Sequence, residues 1–255
     1  MNRTTVVVHP DAATLATATA ARLLVHLMDA QSTHRPLHVV LTGGGLGTRV
    51  LSEVAASPLR DAVDWTGVHL WWGDERFLPS GDPERNETQA RDALIGLLPI
   101  PDGNVHPMPA ADAMGIRSPE DSAAAYATTL AAFGSPTAQS DDAGPSVPPF
   151  DLVLLGVGSD GHIASLFPGH DTLEVADRAV VGVHGSPKPP PERVSLTFSA
   201  LEAASEIWLV VSGSDKGVAV GRALAGDDIH RTPAAGAKGR ARTLWLLDTD
   251  VAAEG

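Results

Sequence analysis

Residues 150–170 read FDLVLLGVGSDGHIASLFPGH, and how this stretch is parsed decides the fold. Its opening DLVLLG (151–156) is an almost wholly apolar run, as expected of a strand buried on both faces. Gly156, Gly158 and Gly161 then spell G-x-G-x-x-G, the spacing of a loop that cradles a dinucleotide pyrophosphate. That reading needs a long helix packed on the third glycine. Only HIASLF separates Gly161 from Pro168-Gly169, room for less than two helical turns. No clear βαβ repeat with an acidic ribose ligand follows, so the dinucleotide reading fails and no cofactor is expected. What survives is Asp160-Gly161-His162, just past a buried strand. An imidazole titrates near neutrality and takes a proton from water, and a neighbouring carboxylate fixes its tautomer. Glycines on either side, Gly158 among them, let a ligand approach the backbone.

Outward from this loop, short β-branched runs alternate with longer alanine-rich segments of helical character. TTVVVH (4–9), LHVVLT (37–42) and VHLWWG (68–73) read as strands before it; RAVVGV, RVSLTF, EIWLVV and TLWLLD read as strands after it. Asp11 caps a helix to about Asp29, and Ser118, with Asp121 three positions on, caps another to Phe133. Further helices are expected from about Leu46 to Ala55 and near Glu87–Leu97. The alternation predicts an α/β fold: an open, mostly parallel twisted sheet with helices on both faces, forming one domain over residues 1–255. Residues 134–149, GSPTAQSDDAGPSVPP, lack periodicity and read as a flexible surface loop. Ligands of such sheets bind at the carboxyl ends of strands. Three unusual polar loops fall there, after Leu41, Trp72 and Leu155.

The first is TGGGLGTRVL (42–51), where Gly43, Gly44 and Gly45 let backbone N–H groups approach an anion at a helix start. The alternative is a tight strand-to-helix turn. It is no nucleotide P-loop, since Thr48-Arg49 stands where Lys-Ser/Thr is required. In the second, WWGDERFLPSGDPERNETQAR (71–91), the Arg76 fork suits phosphate or carboxylate oxygens. Asp74 or Glu75 holds that fork or acts on substrate; the alternative is a solvated charge cluster. Asn86 either orients substrate or caps the helix that follows. Further on, SPKPPPERVSLTF (186–198) sets Lys188 and Arg193 on a stiff proline run, and SGSDKGVAV (212–220) puts Lys216 at a helix start. A cation is out of place there on dipole grounds and fits an anion shared with the helix terminus; the alternative is an ordinary surface lysine.

Composition excludes several classes. Lys and Arg total 18 against 31 Asp and Glu, a formal net charge of −13, which disfavours nucleic-acid and anionic-membrane partners. Aromatics are only 4%, too few for a base-stacking surface. Without cysteine there is neither a disulfide nor a thiolate zinc site. No set of His, Asp and Glu has metal-ligand spacing, so no metal is expected, and a G-x-S-x-G elbow is missing. The start, MNRTTVVVHPDA, does not read as a secretory signal, and no window approaches the ~18 apolar residues of a membrane span. A cytoplasmic protein is expected.

Five motifs occur together in order: LTGGGLGTRVL, WWGDERFLPSGDPERNET, FDLVLLGVGSDGHIASLFPGH, SPKPPPERVSLTF and WLVVSGSDKGVAV. With them the chain resembles the 6-phosphogluconolactonase subfamily of the glucosamine/galactosamine-6-phosphate isomerase superfamily, from about the first strand to the LWLLDTDVAA tail. The resemblance implies a modified dinucleotide-type α/β fold, as in glucosamine-6-phosphate deaminase and ribose-5-phosphate isomerase. It implies hydrolysis of 6-phospho-D-glucono-1,5-lactone to 6-phospho-D-gluconate, a step of the oxidative pentose phosphate pathway, by a monomer or weak homo-oligomer. Carried over by motif, His162 is the general base with Asp160 beside it. Phosphate and sugar contacts fall on Gly43–Gly45, Arg76, Lys188, Arg193 and Lys216. One departure is that Arg85 precedes Asn86 where the family often has Ser-Asn. Two other readings stay open on the residues: an amino-sugar-phosphate isomerase or deaminase, and a non-catalytic sugar-phosphate sensor.

Overall fold

The structure, a computed structural model, describes residues 3–134 and 145–254. Six strands form one parallel sheet in the order β1-β9-β8-β5-β2-β3. They are β1 (Arg3–His9), β2 (Leu37–Leu41), β3 (Val68–Trp72), β5 (Leu152–Leu155), β8 (Glu206–Val211) and β9 (Arg242–Asp248). Their apolar runs are continuous because both faces are covered. Side chains alternate across a strand, so one sequence feeds two cores. Val40, Val153, Leu155, Ile207, Leu209 and Trp245 pack on one face. Val39, Leu41, Leu152, Leu154, Trp208 and Leu244 pack on the other.

The second face is closed by α1 (Ala12–Gln31), α2 (Gly44–Ala56) and α3 (Asn86–Ala93), through Leu15, Leu24, Val50, Val54 and Ala90. The first is closed by α4 (Pro119–Ala132), α5 (Phe198–Leu201), α6 (Gly217–Leu224) and α7 (Thr249–Ala252). The two expected caps are present: the Asp11 carboxylate accepts from Thr14 N and the Ser118 hydroxyl from Asp121 N. Tyr126 of α4 covers the end of edge strand β3, where its hydroxyl accepts from Trp72 N at 3.0 Å.

Three local expectations are corrected. RAVVGV and RVSLTF do not join the parallel sheet. They supply β6 (Val180–Val183) and β7 (Arg193–Leu196) of a separate antiparallel sheet, β4-β7-β6, whose third strand is the charged triplet β4 (Asp74–Arg76). The helix after the first glycine cluster begins two residues early, at Gly44, so glycines form its first turn. Asn86 does not cap α3; Arg85 is the capping residue, and the Asn86 side chain turns back toward β4. The loop expected at 134–149 falls largely outside the described residues, and of its described part Val147 is buried in the first core.

Strand order places the crevice. From β2 the chain steps outward to β3, whereas from β5 it steps the other way through β8 and β9. The reversal lies between neighbours β2 and β5, and ligand crevices of open sheets form at the carboxyl ends beside such a reversal. The loops leaving these strands meet there, with Gly156 N donating to Thr42 Oγ1 at 3.2 Å.

Candidate active site

A cavity of about 320 Å³ opens at this point. Thr42, Gly43 and Gly44 follow β2; Asp74, Arg76 and Asn86 come from the β4–α3 segment; Gly156–Gly158, His162 and Ala164 follow β5. Lys188, Pro189 and Arg193 come from the proline-rich segment, and Lys216 from the start of α6. A side lobe of about 210 Å³ runs along Gly43–Gly47 to Ser212 and Lys216, and Gly45 lies there rather than in the main cavity.

No helix follows Gly161. The 156–169 loop instead folds on itself: Gly158 N donates to His162 O and Gly161 N to Gly158 O, both at 2.9 Å, while Ile163 and Leu166 bridge. Gly161 sits at φ +90, a conformation L side chains rarely adopt, and its carbonyl accepts from Ala234 N. The loop therefore displays His162 instead of winding onto a pyrophosphate. Asp160 Oδ1 lies 2.5 Å from His162 Nδ1, and the second ring nitrogen, Nε2, has no protein partner among the described residues. Burial pushes the Asp160 carboxyl up, but the hydrogen bonds and charge of His162, with Lys188 nearby, outweigh it and hold it at about 2. Asp160 is thus a carboxylate throughout the neutral range, placed to favour the Nδ1–H tautomer and leave Nε2 as the base. Phe167, fully buried, packs its ring 4.6 Å from the imidazole and fixes its plane. Gly158 leaves the room for this pair, since a Cβ there would collide with the His162 ring and approach Asp160 Oδ1 at 2.5 Å.

Arg76 Nη1 donates to Glu84 O at 2.8 Å and to Asn86 Oδ1 at 2.7 Å. Behind it, Glu75 is fully buried and accepts from Arg76 N, Asn86 N and Glu87 N at 2.7–2.9 Å. Burial pushes the Glu75 carboxyl up to about 7, against the pull of Arg85 and those three N–H groups. Arg85, the departure from the family pattern, is a fully buried strut: it donates to Leu78 O and Met108 O and stands 3.7 Å from Glu75. Nothing in its sequence neighbourhood marks it as interior, because only the tertiary fold brings Met108 over it.

The remaining cations differ in availability. Arg193 is nearly buried; its Nε and Nη2 donate to the carbonyls of Lys188, Pro189 and Pro190, and Nη1 stands 3.9 Å from Asp74. It ties down the proline-rich segment. Lys188 is exposed at the cavity edge, and Lys216 donates to Ser212 O at 2.9 Å and Asp215 Oδ1 at 3.1 Å. Four cations against Asp74 and Asp160 make this an anion-attracting crevice on an acidic chain. A second cleft of about 360 Å³ opens behind Arg85, between α3 and residues 107–110; its Glu87 carboxylate is already paired with Arg85 and Arg91 and no histidine among the described residues lines it, so the chemistry is assigned to the smaller cavity. Among the described residues no three His, Asp or Glu groups converge as a metal site, and no helix is long and apolar enough to cross a membrane.

A family model described as glucosamine-6-phosphate isomerases/6-phosphogluconolactonase matches residues 10–245. The 6-phosphogluconolactonase of Streptomyces coelicolor is 52% identical, covering 97% of this chain and 93% of that protein. That of Mycobacterium tuberculosis is 43% identical over 97% and 96%. Among solved structures, the 6-phosphogluconolactonase of Trypanosoma brucei superposes with a TM-score of 0.84 at 29% identity, covering 99% of both chains. A monomeric glucosamine-6-phosphate deaminase shares the fold at 17% identity, with a TM-score of 0.76 over the whole of both chains.

Proposed function

The chain belongs to the family of glucosamine-6-phosphate isomerases and 6-phosphogluconolactonases, on its lactonase side, and we propose that it hydrolyses 6-phospho-D-glucono-1,5-lactone with His162 as the base that activates water. The observation that carries this is His162, paired with Asp160, lining the same cavity as Arg76 and further cations. His162 Nε2 removes a proton from water as its oxygen attacks the lactone carbonyl carbon. Charge develops on the carbonyl oxygen and is met by the Arg76 guanidinium. The tetrahedral adduct collapses, the ring C–O bond breaks, and the imidazolium returns its proton to the leaving ring oxygen. This leaves the carboxylic acid, which gives its proton to solvent to become 6-phospho-D-gluconate, and no covalent enzyme intermediate is formed.

The phosphate, remote from the reacting carbon, positions the substrate. Lys188 and Lys216, with the glycine turn at Gly43–Gly45, are its proposed contacts, while Asp74, Asn86 and Arg193 shape the wall. With this reading go a place in the oxidative pentose phosphate pathway, a cytoplasmic location and action as a monomer or weak homo-oligomer.

The test generates the lactone in place from glucose 6-phosphate and its dehydrogenase, then reads 6-phosphogluconate through a coupled NADP-dependent dehydrogenase. Acceleration over spontaneous hydrolysis, with no ammonia released from glucosamine 6-phosphate, is the expected result. Ammonia release without lactone hydrolysis would assign the cavity to the deaminase chemistry instead.

A further inference from the structure

We infer that Ser165 is a positioning residue: through Asp74 and Asn86 it holds the Arg76 guanidinium in the cavity that His162 lines. The inference rests on the proposed lactone hydrolysis, which gives both Arg76 and His162 their roles. Three residues after His162 the loop closes a tight turn, with Leu166 N donating to Ile163 O at 2.9 Å and Ala164 held at φ 48. For a residue with a Cβ that conformation is unfavourable and needs holding. The turn is held in place at Ser165, which has no solvent exposure: its N–H donates to Ser195 Oγ at 3.2 Å and its hydroxyl to Asp74 Oδ2 at 2.7 Å. Ser195 and Asp74 stand opposite each other in the β4–β7 pair, so the histidine loop is seated on the small sheet.

From Asp74 the chain of hydrogen bonds continues with a fixed polarity. Asn86 Nδ2 donates to Asp74 O at 2.8 Å and to Asp74 Oδ1 at 3.3 Å. With its NH₂ group committed to two acceptors, Asn86 presents its carbonyl to the other side, where Oδ1 accepts from Arg76 Nη1 at 2.7 Å. A flipped amide would set N–H against N–H, so the orientation of Asp74 dictates that of Asn86 and hence the seat of Arg76. Asn86 has no spare room either, because its Oδ1 lies where a Cβ on Gly43 would stand.

Asp74 has a rival partner. Arg193 Nη1 is 3.9 Å from the same Oδ2 that Ser165 holds. In a buried site a carboxylate oxygen that loses a donor turns to the nearest charge. Removing the Ser165 hydroxyl therefore draws the Asp74 carboxylate toward Arg193 and loosens its 3.3 Å hold on Asn86, whose other bond is to the Asp74 carbonyl; of the two acceptors of Arg76 Nη1, Glu84 O stays and Asn86 Oδ1 is less firmly placed. One serine thus couples the loop of the base to the placement of the cation.

The experiment compares wild type, Ser165→Ala, Asn86→Ala and the double variant in the lactone assay. It also records ¹⁵N spectra of the Arg76 guanidinium, whose Nη rotation reports whether the group is pinned. Ser165→Ala is expected to lower kcat about ten- to hundredfold, as misplacement of a reacting group does, with KM within about twofold of wild type. Guanidinium rotation should quicken. The double variant should be no slower than the worse single, because both break one chain. Unchanged kcat and rotation in folded Ser165→Ala, or losses that multiply in the double, would overturn the inference. Should Ser165→Ala not fold, Ser165→Cys keeps a side-chain donor, larger and much weaker, and must move both readouts in the same direction. A wild type that does not hydrolyse the lactone sinks the proposed function; the rotation measurement alone then decides whether Ser165 restrains Arg76.

Discussion

Between Asp160 and His162 the 2.5 Å contact asks one residue to stay charged so that the other stays correctly protonated. With the Asp160 carboxyl at about 2, stability from the pair is present above the ordinary aspartate range and is lost progressively as pH falls from 3.8 through about 2. Protonation of Asp160 therefore plays no part in activity between pH 5 and 9. Asp160→Asn removes the charge but leaves the volume, and kcat should fall about a hundredfold or more with folding intact; a near-normal rate would detach Asp160 from the base. Gly158→Ala tests the same pair sterically. Its methyl would occupy the space of the imidazole, so activity should fall at least about tenfold while the circular dichroism spectrum is unchanged. His162 and Asp160 are legible in the sequence because they are neighbours in one loop past one strand. Ser165 and Phe167 lie in the same loop, yet nothing in their spacing says that one reaches Asp74, 91 positions away, and the other backs the imidazole.

Among the elements, the parallel strands and the caps of α1 and α4 follow from local pattern: apolar runs, and Asp or Ser before a helical period. The small sheet does not. Its strand β4 is Asp-Glu-Arg, which has no apolar alternation to betray a strand and is buried only because β7 pairs with it. Arg85 escapes notice for the same reason. Glu75 and Arg85 are both interior, 3.7 Å apart, and together pin the start of α3 beneath Arg76 and Asn86. Arg85→Met strands the Glu75 carboxylate without its cation and should cost about 3–5 kcal/mol in urea unfolding. Adding Glu75→Gln should restore part of that loss. A destabilisation below about 1 kcal/mol in the single variant would show that the backbone donors alone satisfy Glu75.

Over the whole molecule, two cores share one sheet, and the sheet's reversal point carries the crevice. That much is readable from strand alternation and from polar loops at strand ends. A third feature depends on register. His38 and His69 are paired across β2 and β3, and His106 stacks on Trp71 at 4.0 Å and lies 2.9 Å from His69. The three are scattered over 69 positions of sequence, so no motif announces them. Burial lowers all three, His38 and His106 to about 4. At His38 and His106 the unfolded chain takes up a proton near pH 6.5 and the folded chain only near 4, so stability is lost as pH falls through that window. From pH 7 to 5 His38 and His106 together should account for a loss of roughly 4 kcal/mol, about half from each. Urea titrations at the two pH values check this, and His106→Gln should flatten the difference. An equal difference in that variant would place the acid sensitivity elsewhere.

The measurement that bears most directly on the mechanism is the lactone hydrolysis rate of His162→Ala beside wild type, with product binding followed by calorimetry. With His162 as the base, kcat falls about 10²–10⁴-fold while 6-phosphogluconate binds with nearly wild-type affinity. Turnover within a few-fold of wild type in a protein that still binds product would contradict the account and leave His162 a mere wall of the cavity.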